Sequence, residues 1–246
     1  MVPRALVLLV MAALLAGCRL GPRFDNHPQP TLTVDHGPFE AAGCPVDQDD
    51  LRRCLPESPF ALMGCDAMRL APDLLGGLEP GFPIALCDVY PDWHEEESSH
   101  SLGAMEASEY YVYKHTGPTP IYVRYVIYKN GAFVLLADAE AMRGIYAPIE
   151  SSEEALSFAL AATGLEARYG LARQPDYAYE GNRIEDTHVT EVYNGYRLTL
   201  FDLRLFGCGP HWTYEVDLHV RNDGEITELG RRPVFRDKAL DGLCVE

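Results

Sequence analysis

The stretch His211-Trp212-Thr213-Tyr214-Glu215-Val216-Asp217-Leu218-His219-Val220-Arg221 alternates strictly between two kinds of side chain. Trp212, Tyr214, Val216, Leu218 and Val220 fall on one side of an extended chain. Thr213, Glu215, Asp217, His219 and Arg221 fall on the other. A period of two marks a strand that packs one face and wets the other. Turn signals bracket it: Cys208-Gly209-Pro210 before, Asn222-Asp223-Gly224 after. A strand over Glu225–Val234 follows, and two precede it over Thr187–Tyr193 and Tyr196–Phe206, joined by Asn194-Gly195, a strong hairpin dipeptide. Four strands linked by tight turns make an antiparallel meander. In the second strand the apolar phase shifts, Leu198 and Leu200 giving way to Phe201, Leu203 and Leu205. That shift predicts a β-bulge near Leu200-Phe201, or burial on both faces.

Upstream of the meander, Ser151 and Glu154 form a capping box for a helix over 152–163, and Gly164 stops it. Leu156, Phe158, Ala159 and Leu160 give that helix an apolar face. Residues 137–146 are a second helical candidate. Strands are expected at Tyr110–Lys114, Ile121–Tyr128 and Ala132–Leu136, the last two turned by Asn130-Gly131. One or two helices leaning on an antiparallel sheet define an α+β fold. In the 41–104 segment, rich in Cys, Pro and Gly, short helices are weakly signalled at Asp49–Cys54 and Met68–Leu75, with a strand at Ile84–Val89.

The helix around Glu154-Ala155-Leu156, followed by strands with Tyr214-Glu215-Val216-Asp217-Leu218 and Asp223-Gly224-Glu225-Ile226, resembles a PepSY-type module over residues 145–235. The resemblance implies a small α+β unit of secreted or membrane-anchored bacterial proteins, serving binding or inhibition.

The N-terminus reads as an address. Arg4 precedes an uncharged apolar run, Ala5–Ala16, too short for a bilayer and suited to a secretory signal. It ends in Leu15-Ala16-Gly17-Cys18, which resembles the lipobox of bacterial lipoprotein precursors. The resemblance implies cleavage before Cys18, a diacylglyceryl thioether on its sulfur and an acyl chain such as palmitate on its new amine. The protein's membrane partner would then be the lipid bilayer, reached through acylated Cys18. Two or more chains anchor stably where one does not. Residue 19 is Arg rather than Asp, which implies outer-membrane delivery in a bacterium with two membranes.

The 246 residues include 37 Asp and Glu against 20 Lys and Arg, a formal charge of −17. Such a chain repels phosphate backbones, which excludes nucleic acid as a natural partner and adhesion to anionic lipid through a basic patch. With 47% hydrophobic residues it is composed to bury a core.

Besides Cys18 there are six cysteines: Cys44, Cys54, Cys65, Cys87, Cys208 and Cys244. An exported chain with an even number of cysteines and no C-x-x-C pair points to disulfides rather than zinc. Fifteen connectivities exist. Clustering favours two bridges among the first four cysteines and one joining Cys208 to Cys244. The expected organisation is a signal peptide over 1–17, a proline-interrupted tether over 18–40, a disulfide-stapled segment over 41–104 and an α+β domain over 105–246. That stapled segment is either a small module or a cross-linked extension of the main fold.

Candidate chemistry is thin. His94-Glu95-Glu96-Glu97-Ser98-Ser99-His100 offers His94 and His100 as metal ligands, but their spacing departs from H-E-x-x-H and a solvated acidic loop is the plainer reading. Cys208-Gly209-Pro210-His211 is similar to the turn of thiol oxidoreductases with one Cys replaced, and reads more simply as a corner with Cys208 bridged. Glu215, Asp217 and His219, with His211, line up along one strand face as possible acid–base or metal groups, or as an ordinary wet face. Asp186 with Glu191 is one of many acid pairs that 37 acids produce by chance. Tyr110, Tyr111, Tyr113, Tyr122, Tyr125 and Tyr128 are candidate contact residues if exposed, sheet filling if not. No nucleophile elbow, phosphate loop or dinucleotide fingerprint occurs, and no cofactor is called for. These features lead to a non-enzymatic envelope lipoprotein that serves as a binding module for an envelope protein or ligand, or as a structural module of the envelope. The alternative is a metal-assisted periplasmic hydrolase using the His94–His100 loop.

Overall fold

The structure, a computed structural model, describes residues 21–45, 53–55, 57–90, 110–115, 120–203, 205 and 207–245. In chain order the strands are β1 (Arg23–Asp25), β2 (Arg53–Cys54), β3 (Ala67–Leu70), β4 (Ile84–Val89), β5 (Tyr113–His115), β6 (Ile121–Lys129), β7 (Ala132–Leu136), β8 (Tyr177–Tyr179), β9 (Arg183–Glu185), β10 (His188–Val192), β11 (Gly195–Leu203), β12 (Gly207–Cys208), β13 (Thr213–Arg221), β14 (Ile226–Asp237) and β15 (Cys244–Val245). The α-helices are α1 (Gly37–Ala41), α2 (Ala139–Tyr146) and α3 (Ser152–Thr163). The fold is α+β, as its patterns predict.

The meander is present. β10, β11, β13 and β14 pair in order, antiparallel throughout, and β8 closes the far edge as a fifth strand. Asn194 and Asn130, both at positive φ before a glycine, make the two hairpin turns. Val216, Leu218 and Val220 are buried on the expected face. The β11–β13 register runs unbroken through Leu200 and Phe201, and both side chains are fully buried. Of the two expectations, burial on both faces is the one realised. The irregularities lie instead between β13 and β14, at Thr213/Tyr214 and Asp217/Leu218.

The second face is covered because a small third layer lies on it. The parallel pair β1–β9 brings Phe24 and Ile184 against Phe201, Val234 and Phe235. The expectation that Thr213 and Glu215 face water is therefore corrected: both are buried.

The other sheet runs β2-β3-β4-β6-β5, with β7 also on β6. β4, at its centre, is buried at every residue. The cysteine-rich segment thus supplies β2, β3 and β4 to a sheet completed by β5–β7, an extension of the main fold. Cys44–Cys54, Cys65–Cys87 and Cys208–Cys244 are bonded; two bridges among the first four cysteines and one late bridge are what clustering favours, and the structure supplies the partners within the first four. The weak helix expected over Met68–Leu75 is instead strand β3 followed, past Pro72, by a 3-10 turn at Asp73–Gly77. The Asp49–Cys54 helix lies mostly outside the described residues, and its last two positions are strand β2. The residues from 21 to 40 run along the folded body, with β1 paired, Val34 against the main core and Phe39 fully buried.

Helix α3 has the expected capping box and ends at Gly164 in the left-handed conformation. It buries more than one face: Glu154 through Ala161 are all buried. The main core joins residues of both sheets around it, from Leu86, Val123 and Tyr125 to Leu198, Leu200 and Val216. A helix apolar all round belongs inside.

The close approach of α3 to the 3-10 turn makes a testable contrast. A Cβ on Gly77 would lie 2.5 Å from the Glu153 carbonyl oxygen and 2.6 Å from Ser157 Oγ. A Cβ on Gly144, inside α2, would meet nothing within 4 Å. Gly77→Ala is expected to lower urea-unfolding stability by about 1–3 kcal/mol through overpacking. Gly144→Ala is expected to raise it by about 0.5–1 kcal/mol through helix propensity. Effects of the same sign at both sites would refute this packing.

Candidate functional site

β9 ends at Glu185, and the acid that follows it, Asp186, takes the opposite fate. Asp186 is fully buried. Its carboxylate accepts from the backbone N–H groups of Gly170 (2.7 Å), Leu171 (3.0 Å) and His27 (3.3 Å), and from Asn26 Nδ2 (3.1 Å to each oxygen). Its own N–H donates to the Asp25 carbonyl. A buried carboxylate is tolerable when donors surround it, and here the donors come from two otherwise separate segments. Asp186 therefore fixes where residues 25–27 lie. Asp25, on β1, is ion-paired to Arg183 and Arg23, and Arg183 chiefly holds its carboxyl below the usual range.

Glu185 points the other way. Arg183 Nη2 sits 3.0 Å from its Oε2. Its Oε1 meets His27 Nε2 at 2.9 Å and His188 Nε2 at 3.8 Å. The two imidazoles stack, centroids 4.5 Å apart and planes 21° from parallel. His188 Nδ1 lies 3.0 Å from the Asp186 carbonyl and donates to it, which leaves Nε2 as the lone-pair nitrogen of the neutral ring. One ligand atom from each of His27, Glu185 and His188 lies within 4.8 Å of the others. The side chains are 34%, 22% and 26% exposed. Both histidines line a cavity of about 250 Å³ shared with Glu153 and Tyr169. Burial, with Asp186 nearby, pushes the Tyr169 phenol up to about 12.

None of these three was singled out from sequence. His27 is 158 residues from Glu185, and no local pattern links them. The one local signal is Glu185-Asp186-Thr187-His188, an E-x-x-H spacing, here at the step from β9 to β10 rather than on a helix.

Among the described residues, the candidates offered by the sequence form no cluster of three possible metal ligands. Glu215 is bidentate with Arg232 at 2.8 and 2.7 Å, and Asp217 accepts from Arg197 (2.6 Å) and Thr199 (3.1 Å). His211, buried, has its Nε2 3.0 Å from the Leu243 carbonyl. Cys208 is in its disulfide at a β12–β15 corner. His94 and His100 lie outside the described residues. Of the tyrosines, Tyr122 and Tyr125 are buried and fill the sheet, Tyr111, Tyr113 and Tyr128 are partly buried, and Tyr110 is exposed.

A second polar cluster is built on a buried acid. Arg69 Nε and Nη2 reach the buried Asp88 at 2.6 and 2.8 Å. Burial would lower the guanidinium, but Asp88 more than reverses this and the net shift is upward. Burial raises Tyr113, and Tyr125 further, whose hydroxyl donates to the Ala161 carbonyl. Arg69 and the two phenols line a cavity of about 330 Å³ beside Leu160 of α3.

No family model matches the chain, and no curated protein or solved structure matches it.

Burial raises the Glu215 carboxyl, and Arg232 opposes this without cancelling it. A carboxyl raised by folding is penalised when charged, so its contribution to stability is largest below the unfolded value and falls as pH rises through the folded value. Stability of the native protein relative to Glu215→Gln should therefore increase on acidification from neutral pH toward the ordinary value of 4.5. Parallel pH–stability curves from urea unfolding would rule this out.

Proposed function

We propose that this protein is a lipoprotein of a bacterial cell envelope, held to a membrane by acylated Cys18 and serving as a binding module rather than an enzyme. One observation carries the reading. Six of the seven cysteines are consumed in three disulfides, and the seventh, Cys18, closes the lipobox-like Leu15-Ala16-Gly17-Cys18. Disulfides belong to an oxidising compartment, and a lipobox belongs to export with a lipid anchor. Arg19 favours delivery to the outer membrane where there are two.

Binding rather than catalysis is supported by how the polar side chains are spent. Glu215, Asp217 and Arg69 are each committed to an ion pair. A cavity of about 510 Å³ beside α3 has Phe158, Leu218 and Ile226 in its walls and Arg143, Glu228 and Arg231 among its polar groups, a lining fit for recognition. The PepSY-like pattern points the same way.

Metabolic labelling with palmitate in the native bacterium tests the anchor. The full chain should carry label and sediment with membranes. Cys18→Ser should lose the label and appear in the soluble fraction, with its three disulfides intact by mass spectrometry without reduction. Absence of label on the native chain, or label that survives the substitution, defeats the reading.

A further inference from the structure

We propose that His27, Glu185 and His188 bind one divalent transition-metal ion, and that the ion staples the N-terminal segment to the folded body.

The donor set decides the class of ion. Two imidazole nitrogens and one carboxylate oxygen suit zinc, cobalt, nickel or copper. Calcium and magnesium prefer all-oxygen shells. Ligands 2.0–2.2 Å from a tetrahedral ion lie about 3.3 Å apart, and the two contacts of Glu185 Oε1, at 2.9 and 3.8 Å, bracket that value. The supports of a metal site are present as well. His188 donates its other nitrogen to a backbone carbonyl, which fixes the tautomer a metal needs. Arg183 occupies the second oxygen of Glu185 and turns the first toward the histidines. The 250 Å³ cavity beside the histidines leaves room for water to complete the coordination.

The three ligands come from two places. Glu185 and His188 belong to the body, at the end of β9 and the start of β10. His27 arrives on the segment that follows β1, which is held by a three-residue parallel pairing and by Asp186. An ion bridging them stabilises the docked segment by mass action. At a free-ion concentration 100 times Kd, the opened state becomes about 100-fold rarer.

The consequence for reach rests on the anchored reading; the metal site does not. With β1 docked, the five residue-to-residue steps from Cys18 to Arg23 span at most about 17 Å. With the segment released as far as Val34, which packs on the main core, sixteen such steps span up to about 55 Å. Metal availability would set how far from the membrane the body can stand.

The full chain, purified in detergent and stripped with chelator, is titrated with zinc chloride by calorimetry and with cobalt chloride by visible absorption. One equivalent should bind, with the intense bands of low-coordinate cobalt. His188→Ala and Glu185→Gln, which alter ligands on the body and leave the sequence of the N-terminal segment as it is, should weaken binding at least about 10-fold. Backbone hydrogen exchange of residues 21–32 should slow by up to about 100-fold at saturating zinc. At the zinc concentration that just saturates the native chain, slowing in His188→Ala should be at least about 10-fold smaller, and exchange over 198–200 in β11 should report an intact core in all proteins. Failure of both metals to bind, or binding indifferent to both substitutions, overturns the site and the staple together. Tight, ligand-dependent binding with unchanged exchange over 21–32 overturns the staple alone. Either result leaves the palmitate test of the anchor untouched.

Discussion

A helix with no wet side constrains everything around it. Ala155-Leu156-Ser157-Phe158-Ala159-Leu160-Ala161 offers water almost nothing, and all seven residues are buried. Two sheets must therefore cover α3, and the main core is the volume they share with it. The buried polar side chains of α3 itself are satisfied. Ser157 Oγ accepts the Gly77 N–H at 3.0 Å and donates to the Leu74 carbonyl at 2.7 Å. Glu154 folds back, its Oε2 accepting the N–H groups of Glu150 and Ser151. At the far end, Gly164 turns left-handed where the Tyr113 ring leaves no space for a Cβ, 2.4 Å away. A side chain there would meet both a backbone penalty and a ring.

The elements written in the sequence are those whose signal is local. Strict alternation gave β13, Asn-Gly pairs gave two hairpins, and a capping box gave the start of α3, because each depends on neighbours a few residues away. What the sequence left open depends on distant partners. The apolar phase shift at Leu200-Phe201 was ambiguous because a bulge and double burial share one pattern. Phe24 and Ile184, brought by a parallel pair 160 residues apart, decide for burial. The same layer hides Glu215, whose place on an alternating strand reads as wet. Arg232, its partner, sits on β14 and nothing local announces it.

Position 68–75 shows a different failure. Helix propensity there is weak and Pro72 interrupts it, so tertiary pairing wins. β4 has one edge taken by β6 and needs a partner on the other, and Ala67–Leu70 supplies it. The cysteines then reinforce that arrangement. Cys65–Cys87 ties the approach to β3 to β4, and Cys44–Cys54 ties the end of the N-terminal segment to β2. Both bridges lie at the second core, where Phe39 and Phe60 sit against Phe133. A stapled segment was legible from cysteine spacing. Its membership of the main sheet was not, since spacing says which thiols are near and not which strands are paired.

Two neighbouring acids, Glu185 and Asp186, carry the argument from fold to site. Composition treats them as interchangeable, and a chain with 37 acids hides both. Alternation at the end of β9 sends one inward and one outward. The inward carboxylate is worth burying only because four N–H donors meet it, and two of those donors belong to residues 26 and 27. Satisfying Asp186 is therefore what delivers His27. Once His27 is placed there, the outward carboxylate faces two imidazoles, one with its tautomer already fixed by a backbone carbonyl. The cluster is thus a by-product of solving a burial problem, assembled from segments that no sequence window contains together. Its half-exposed ligands keep a path for an ion to enter, while the buried acid behind them holds the frame.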